Sequence, residues 1–510
     1  MSFPYRTYAV CFLLGLGIVL VLTPLVIRLA LRFKIMDRPA NRKQHRAATP
    51  LLGGLAVFAG VWVPLVLLPF WDNTVTRAVG EQQYNLALIL AGGIAMVALG
   101  VVDDVRGLRA KWKFMAQFPV AAMLVAGGAI FHQVNIPFFG TLELGELDSL
   151  ISILWLVGIT NAWNLIDGVD GLAAGVAFLV SATCAYLGVL NGQALLAVVM
   201  CAAAGACLGF LRYNFNPAKI FLGDSGSLFL GITLASTATL QNVKGTMAAS
   251  FLVPAVLLGY PALDTLLAMA RRLVRGKSMF SGDDGHIHHR LLRKGFSPRQ
   301  TTLLIYGVCL VFCLLAVSIS RGNTHGILAC TLAIGILFVG GMSYLGYFDA
   351  FRASRSGSDR NRFKAIHHMA ELTKAKLGNA RTREEVFGLI ENLVAEYNKP
   401  TIEIRMASGP LGPAVERSRT RPPVNGQRHR VMARSELGVD RYEFEDTGLE
   451  VRVYYDPRHA SDDLRAEKRN EFGEVCEAAN DRLLELRSRP VRHGPAAPEP
   501  GLDDTAFVLE

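Results

Sequence analysis

Long apolar runs dominate the first two thirds of the chain. Uncharged stretches of about 17 to 22 residues recur between short polar connections, and a helix of that length crosses a bilayer core. One helix on each run predicts about eleven transmembrane helices. They cover residues 10–31, 52–70, 86–102, 114–131, 150–166, 172–190, 194–211, 227–240, 248–269, 302–319 and 327–347. This pattern is typical of an all-α polytopic membrane protein.

The pattern changes abruptly after residue 350, where the chain becomes charged and has no long apolar run. Helical periodicity and strand-like alternation both appear there, which predicts a small soluble α+β domain. The predicted helices are 361–377, 382–398 and 461–487, and the predicted strands are 401–406, 429–433, 441–446 and 449–456. We therefore divide the chain into a transmembrane domain (1–350), an accessory domain (351–488) and a disordered tail (489–510).

Composition agrees with a membrane protein. Apolar residues make up 51% of the 510 residues, and the mean hydropathy is +0.33. The first apolar run is followed by a basic stretch and has no small-residue cleavage site, which predicts a retained span rather than a signal peptide. Seven of the eight cysteines lie in apolar runs, and no spacing indicates a disulfide framework or a zinc site.

Basic residues fall on alternate connections. Lysine and arginine concentrate around 32–46, 106–113, 212–219 and 271–299, whereas the other connections carry few. The positive-inside rule then places the N-terminus outside and the C-terminus in the cytoplasm. The formal net charge of +10 therefore collects on one membrane face, where it would attract anionic lipids or substrates. No basic stripe with interleaved aromatics appears, so nucleic acid is not expected as a partner.

Acidic residues and glycines meet at three junctions on the predicted cytoplasmic side. They are V-V-D-D-V-R-G-L with Asp103 and Asp104, N-A-W-N-L-I-D-G-V-D-G-L with Asp167 and Asp170, and F-L-G-D-S-G-S with Asp224. Each aspartate taken alone could be a helix cap. Three such junctions on one face instead predict a shared site for a divalent cation and phosphates, because Mg²⁺ favours carboxylate and phosphate oxygens.

A histidine cluster lies in the long basic connection G-D-D-G-H-I-H-H-R-L-L, at His286, His288 and His289. Imidazole is a good zinc ligand, so a zinc site is one alternative. The other alternative is that these are surface histidines without a functional role. No cysteine lies nearby and phosphate chemistry is indicated by the aspartates, so a contact to a phosphorylated substrate is favoured.

Together with Q-H-R-A-A-T-P-L-L-G-G at 44–54 and N-P-A-K-I-F-L-G-D-S-G-S at 216–227, these motifs resemble the polyprenyl-phosphate N-acetylhexosamine-1-phosphate transferase family. The resemblance covers about residues 32–300, with the motifs in order. It implies transfer of a sugar 1-phosphate from a UDP-sugar to undecaprenyl or another polyprenyl phosphate, with release of UMP. It also implies Mg²⁺ as cofactor, with Mn²⁺ as a substitute.

The resemblance assigns catalytic roles to the acidic residues. Asp103 and Asp104 would lie next to the lipid phosphate, with Asp103 orienting or deprotonating it. Asp104 and Asp224 would bind the metal. Asp167 and Asp170 would line the nucleotide pocket and help to position the metal. His286, His288 and His289 would contact the sugar phosphate or shape the pocket.

The resemblance also implies a set of substrate-binding residues. Phe221 would stack on uracil and Lys111 would meet a phosphate, while Arg46 stands where one branch of the family has a lysine. The full set is Arg46, Lys111, Asn164, Asn214, Phe221 and Arg290.

The substrate, mechanism and location follow as expectations. H-I-H-H resembles the branch that uses simple N-acetylhexosamine nucleotides, so UDP-GlcNAc is expected and UDP-GalNAc stays open. Direct attack by the lipid phosphate is favoured over an aspartyl-phosphate on Asp103 or Asp104. The product would start a lipid-linked cell-surface glycan at the bacterial cytoplasmic membrane, with the active site facing the cytoplasm.

Three alternatives remain at this stage. A polyprenyl-diphosphate phosphatase would use the same groups but would release inorganic phosphate. A non-catalytic lipid or sugar transporter would need charges within the spans and inverted repeats, whereas we expect acidic groups only near span ends and find no clear internal repeat. The accessory domain is expected to be regulatory or to bind a partner, and a homodimer contact is its alternative role.

Overall fold

The computed structural model describes residues 5–37, 48–136, 140–241, 252–275, 285–345, 357–396, 401–406, 414–420, 438–444, 447, 449–455 and 462–488. Arg46, the predicted strand 429–433 and the predicted tail 489–510 lie outside these residues. The chain divides into two compact units, Met1–Ser356 and Gly357–Glu510. Each unit is described by itself.

The first unit is helical. Its helices, numbered in chain order, are α1 (Tyr5–Phe33), α2 (Gly53–Leu67), α3 (Thr74–Gly80), α4 (Gln83–Arg106), α5 (Ala110–Ala126), α6 (Asp148–Ile166), α7 (Leu172–Leu190), α8 (Ala194–Asn214), α9 (Gly223–Gln241), α10 (Leu252–Leu257), α11 (Gly259–Arg275), α12 (Ile287–Arg293), α13 (Pro298–Ser320) and α14 (Thr324–Tyr344). Two short antiparallel pairs join them: β1 (Met36–Asp37) with β2 (Thr49–Pro50), and β3 (Gln133–Ile136) with β4 (Gly140–Glu143).

Among the described residues, eight helices are long and apolar enough to cross a membrane. They are α1, α2 with the helical turn that follows it, α4, α6, α7, α8, α13 and α14. The chain is therefore a multi-pass membrane protein. The predicted spans 114–131 and 227–240 fall on α5 and α9, and the predicted span 248–269 is divided between α10 and α11. These helices are not among the eight, so the count of eleven spans stays a prediction.

Burial separates central helices from peripheral ones. In α8, 83% of the most apolar 18-residue window is buried, against 6% in α14. The large apolar side chains of α14 are accordingly exposed, including Leu328, Leu332 and Ile336. An exposed apolar face on a spanning helix is the surface that contacts lipid tails, so α14 lies at the protein–lipid boundary.

Helix α9 lies at the centre of the first unit, packed against α2, α4 and α6. Two glycines allow this close packing at its N-terminus. A Cβ on Gly54 of α2 would lie 2.1 Å from the Gly226 nitrogen, and a Cβ on Gly100 of α4 would lie 2.3 Å from the Ser225 Cα. Backbone therefore packs on backbone at the first turn of α9, which brings the ends of three helices together.

The second unit is α+β, as the alternating pattern predicts. Its elements are α15 (Gly357–Asn379), α16 (Arg383–Glu396), β5 (Thr401–Met406), β6 (Val415–Thr420), β7 (Gly438–Phe444), β8 (Leu449–Tyr455) and α17 (Asp462–Ser488). The strands form an antiparallel sheet in the order β6–β5–β8–β7. Phe387, Ile404, Val451 and Val475 belong to one buried cluster that joins the helices to the sheet.

Candidate active site

Asp104 holds the N-terminus of α9. Its Oδ1 accepts a hydrogen bond from the Asp224 N–H (2.8 Å) and its Oδ2 accepts one from the Ser225 N–H (3.1 Å). Gly100 is one helical turn earlier on α4, so the close approach of the two helices and the cap lie on the same face. A carboxylate at a helix N-terminus satisfies free N–H groups and interacts favourably with the helix dipole. The Asp104 contact thereby places Asp224 at the end of α4.

Lys113 of α5 links two of the aspartates. Its Nζ lies 2.8 Å from Asp103 Oδ2 and 3.0 Å from Asp224 Oδ2. The other oxygen of Asp103 accepts a hydrogen bond from the Leu108 N–H at 2.6 Å. One cation therefore offsets the repulsion between two carboxylates that come from different helices.

Asp224 is the accessible member of this group. The Asn164 side-chain amide of α6 donates to Asp224 Oδ1 and also to the Ser227 hydroxyl, the latter at 2.9 Å. The Asp224 side chain is 26% exposed, against 5% for Asp103. Asp224 is thus fixed by both neighbours and still open to a ligand.

Asp167 follows directly after α6 and is half-buried. Burial, together with the carboxylates of Asp224, Asp104 and Asp170, raises the pKa of Asp167 well above its ordinary value. Its side chain forms no hydrogen bond or ion pair with any residue that the structure describes. We call Asp103, Asp104, Asp167 and Asp224 the carboxylate cluster.

Asp170 and Asn214 build the loops behind the cluster. Asp170 Oδ2 accepts hydrogen bonds from the Asn216 side chain (2.8 Å) and the Ala218 N–H (3.0 Å). The buried Asn214 accepts from the Gly171 N–H and donates to the Ile220 carbonyl. Both side chains were predicted to act on substrate. In the structure, their hydrogen bonds connect the 167–171 loop to the segment that leads into α9.

Some of the predicted substrate-binding residues lie at the α9 N-terminus and others do not. The Phe221 backbone bonds to the Pro50 carbonyl and the Gly53 N–H, which joins the connection between α1 and α2 to the α9 segment. Lys111 is exposed, two residues before Lys113 on α5. Arg46 lies outside the described residues. The structure thus brings Asn164 and Phe221 to the α9 N-terminus, and it brings Lys113 rather than Lys111 onto the carboxylates.

The histidine group consists of His286, His288 and His289. The ring centroids of His286 and His288 are 5.6 Å apart with nearly parallel planes, and those of His288 and His289 are 4.3 Å apart. Burial, with a smaller effect from His289, lowers the pKa of His288 to about 3, so its imidazole is neutral at pH 7. Its Nε2 lies 2.8 Å from where a Cβ on Gly168 would stand. The group therefore packs against the loop that carries Asp167 and Asp170.

Two buried side chains, Asp264 and Arg290, hold the histidine-bearing helix α12. His286 Nδ1 lies 2.9 Å from Oδ2 of Asp264 on α11, and Asp264 Oδ1 accepts from the Ile287 N–H at 2.9 Å. Arg290, predicted to bind substrate, donates to the Gly285 carbonyl (3.2 Å) and the Leu345 carbonyl (2.8 Å). These bonds connect α12 to α11 and to the end of α14.

Three features of this site were not predicted from the sequence. Lys113 differs from Lys111 only in helical phase, because two residues turn a helix by about 200°. Asp264 lies within the predicted span 248–269, so the expectation that acidic groups lie only near span ends does not hold for the predicted spans, and an acid inside an apolar run was the available signal. Gln117 and Asn161 form a partly buried amide pair between α5 and α6, with Asn161 Nδ2 2.6 Å from Gln117 Oε1.

The donors at the α9 N-terminus are carboxylates, which is the ligand type that Mg²⁺ prefers in proteins. No group of three or more histidine, cysteine, aspartate or glutamate side chains converges in a metal-binding arrangement within the described part of the chain. Mg²⁺ is commonly held by one or two carboxylates plus substrate phosphates, so a complete protein cage is not required. The accessible Asp224 and the unpaired Asp167 carboxylate fit that incomplete arrangement.

Comparison with known proteins gives one family. A family model described as glycosyl transferase family 4 matches residues 86–242, which run from the start of α4 past the end of α9. A protein of Bacillus subtilis named probable undecaprenyl-phosphate N-acetylglucosaminyl 1-phosphate transferase is 38% identical over 309 residues, covering 60% of this chain and 84% of the relative.

Two further relatives carry related names. A Mycolicibacterium smegmatis protein named decaprenyl-phosphate N-acetylglucosaminephosphotransferase is 41% identical over 300 residues, covering 54% of this chain and 73% of the relative. The undecaprenyl-phosphate alpha-N-acetylglucosaminyl 1-phosphate transferase of Escherichia coli strain K12 is 29% identical over 285 residues, covering 54% of this chain and 74% of that protein. In each comparison the match covers most of the relative and little more than half of this chain.

Proposed function

Because the chain belongs to the polyprenyl-phosphate N-acetylhexosamine-1-phosphate transferase family, we propose that it transfers N-acetylglucosamine 1-phosphate from UDP-GlcNAc to undecaprenyl phosphate. The products are UMP and a lipid-linked diphosphate sugar, which starts a cell-surface glycan. The enzyme acts in the bacterial cytoplasmic membrane with its active site facing the cytoplasm. Basic connections next to Asp103, Asp224 and the histidine group support that orientation.

One observation carries the proposal: the arrangement around Asp224. Its carboxylate is held by Lys113 and Asn164, at a helix N-terminus that Asp104 caps. The first turn of α9 thus combines a cation, backbone amides that Asp104 caps and a carboxylate that is still partly exposed. Phosphoryl transfer is catalysed mainly by positioning and by charge neutralisation, and these groups supply both.

Asp224 and Asp167 are the residues that would hold Mg²⁺, with Asp104 behind them as the group that fixes Asp224. When bound, Mg²⁺ neutralises charge on the phosphate oxygens and polarises the phosphorus that is attacked. The raised pKa of Asp167 supports this assignment, because neighbouring carboxylates favour a cation between them.

The reaction proceeds by attack of the lipid phosphate oxygen on the sugar-bearing phosphorus of UDP-GlcNAc. A new phosphorus–oxygen bond forms to the lipid, the bond to the oxygen shared with the uridine-bearing phosphate breaks, and UMP leaves with that oxygen. Both Asp104 oxygens accept backbone hydrogen bonds, and Asp103 is bound by Lys113 and the Leu108 N–H. Carboxylates that are engaged in this way are poorer nucleophiles, which favours direct attack over an aspartyl-phosphate.

The proposal is tested by measuring UMP release by the protein in detergent with Mg²⁺ and undecaprenyl phosphate. UDP-GlcNAc should be turned over faster than UDP-GalNAc. Asp224→Asn should lower kcat by about 100-fold or more, the loss typical of removing one electrostatic stabiliser. Asp72→Asn is the matched control, because Asp72 is exposed and pairs with Arg77 outside the site. If wild type releases no UMP with any UDP-sugar, the proposed function is wrong.

A further inference from the structure

A buried carboxylate–imidazole pair joins α11 to α12. Asp264 is completely buried, and His286 is 4% exposed. Asp264 Oδ2 lies 2.9 Å from His286 Nδ1, while its Oδ1 accepts from the Ile287 N–H. Each carboxylate oxygen therefore has its own partner, one on the ring and one on the helix backbone.

The pair determines which nitrogen of His286 carries a proton. An ionised carboxylate only accepts hydrogen bonds, so the proton between Asp264 and His286 lies on Nδ1 of the ring. In the neutral imidazole the other nitrogen, Nε2, then presents a lone pair. Among the described residues, Asp264 is the one polar partner of the His286 side chain. Nε2 is therefore available to a ligand.

The position of the ring connects this nitrogen to the reaction. His286 stacks on His288 with an interplanar angle of 8°, and His288 packs against Gly168 beside Asp167. The His286 ring thus belongs to the group that borders the carboxylate cluster. It is held there by a residue from a different helix, which restricts ring rotation.

We propose that Asp264 is a positioning residue, which fixes His286 in the Nδ1–H tautomer so that Nε2 accepts a hydrogen bond from a hydroxyl or the acetamido N–H of the transferred sugar. The identity of this ligand rests on the proposed function. The fixed tautomer rests on the geometry of Asp264 and His286 alone. Capping of α12 by itself would need only one oxygen, and the second oxygen is the one that faces the ring.

Asp264→Asn separates the two roles. The asparagine oxygen can still accept from the Ile287 N–H, but its NH₂ group would face His286 Nδ1 and donate to it. The proton would then move to Nε2, and the acceptor would be lost. We expect kcat/KM for UDP-GlcNAc to fall by about 10- to 100-fold, the usual range for losing a carboxylate that orients a functional histidine.

The chain offers a matched control in a second carboxylate–imidazole pair. Asp148 Oδ2 lies 3.0 Å from His132 Nδ1, at an exposed position on a different connection. Asp148→Asn makes the same chemical change outside the site and should leave kcat/KM at the wild-type value. Ile287→Pro removes the capped N–H and shortens a partly buried apolar side chain but leaves Asp264 and His286 in place, and proline is well tolerated at the first position of a helix. It should retain both tautomer and activity.

The decisive readout is the tautomer of His286, from ¹⁵N NMR of the histidine-labelled protein, with the signal assigned by its loss in His286→Gln. Wild type should show a protonated Nδ1 and an unprotonated Nε2, and Asp264→Asn should show the reverse. The NMR measurement needs no substrate, so it tests the role of Asp264 even if the proposed function is wrong. An unprotonated Nδ1 in wild type would overturn it. So would wild-type kcat/KM in folded Asp264→Asn, or equal losses in Asp264→Asn and Ile287→Pro.

Discussion

At the residue scale, one lysine and one asparagine hold the two aspartates at the N-terminus of α9. Lys113 contacts Asp103 and Asp224 together, and Asn164 holds the remaining oxygen of Asp224. Burial and the hydrogen bond to Asp103 raise the pKa of Asp224 to about 7 even though Lys113 acts to lower it, so one ammonium offsets only part of the cost of placing these carboxylates together. Lys113 and Asn164 thus orient the Asp224 carboxylate at the place where we expect a phosphate ligand to bind.

Lys113→Met should therefore lower kcat by about 100-fold or more, since two carboxylates lose their cation and a phosphate loses a neighbouring charge. Lys111→Met, two residues earlier on the same helix, should show a much smaller loss because Lys111 is exposed. The UMP-release assay compares the two. The opposite order would mean that the phosphate contact belongs to Lys111, as the resemblance implies.

Asp167→Asn tests the metal assignment at the same scale. Removing this charge should raise the Mg²⁺ concentration needed for half-maximal activity by about tenfold or more. Titration of Mg²⁺ after treatment with EDTA gives the value for wild type, Asp167→Asn and the control Asp72→Asn. An unchanged Mg²⁺ requirement in Asp167→Asn would remove Asp167 from the metal site.

At the element scale, glycines decide how near the helices approach. Gly100→Ala would place a methyl group 2.3 Å from the Ser225 Cα, which forces α4 away from the first turn of α9. Overpacking of this kind costs about 1–3 kcal/mol. We expect a lower Tm in detergent and a loss of UMP release, because the Asp104 contacts to the α9 N-terminus lengthen. Gly158→Ala on α6 is the control, since no atom lies within 4 Å of its added Cβ. Equal Tm values for the two variants would contradict this account of the packing.

The helices also show which features could be predicted from the sequence and which could not. Apolar run length predicted the helices and the acidic junctions predicted the cluster, because both are local in the chain. The partner of each aspartate is not local: Asp104 meets residues 224 and 225, and Asp264 meets His286, which is 22 residues later in the chain. Helical phase also decided between Lys111 and Lys113. The packing of the helices determines these partners and this helical phase, and neither can be read from a single sequence.

At the scale of the whole molecule, every described site residue lies in the first unit, Met1–Ser356. The second unit has its own buried cluster of helices and strands. We therefore expect a truncated protein of residues 1–356 to fold and to retain most of its UMP-release activity. Its thermal unfolding and its kcat would be compared with those of the full chain. A truncated protein that is folded but inactive would mean that residues 357–510 are part of the catalytic machinery.

The central claim is that a sugar 1-phosphate, and not a sugar or a phosphate alone, moves to the lipid. The most direct test uses UDP-GlcNAc labelled with ³²P in its sugar-bearing phosphate, together with undecaprenyl phosphate and Mg²⁺. The account predicts that ³²P appears in the lipid fraction in equal amount to released UMP, and that Asp224→Asn abolishes both. Label in UDP or in inorganic phosphate, with none in the lipid, would contradict it.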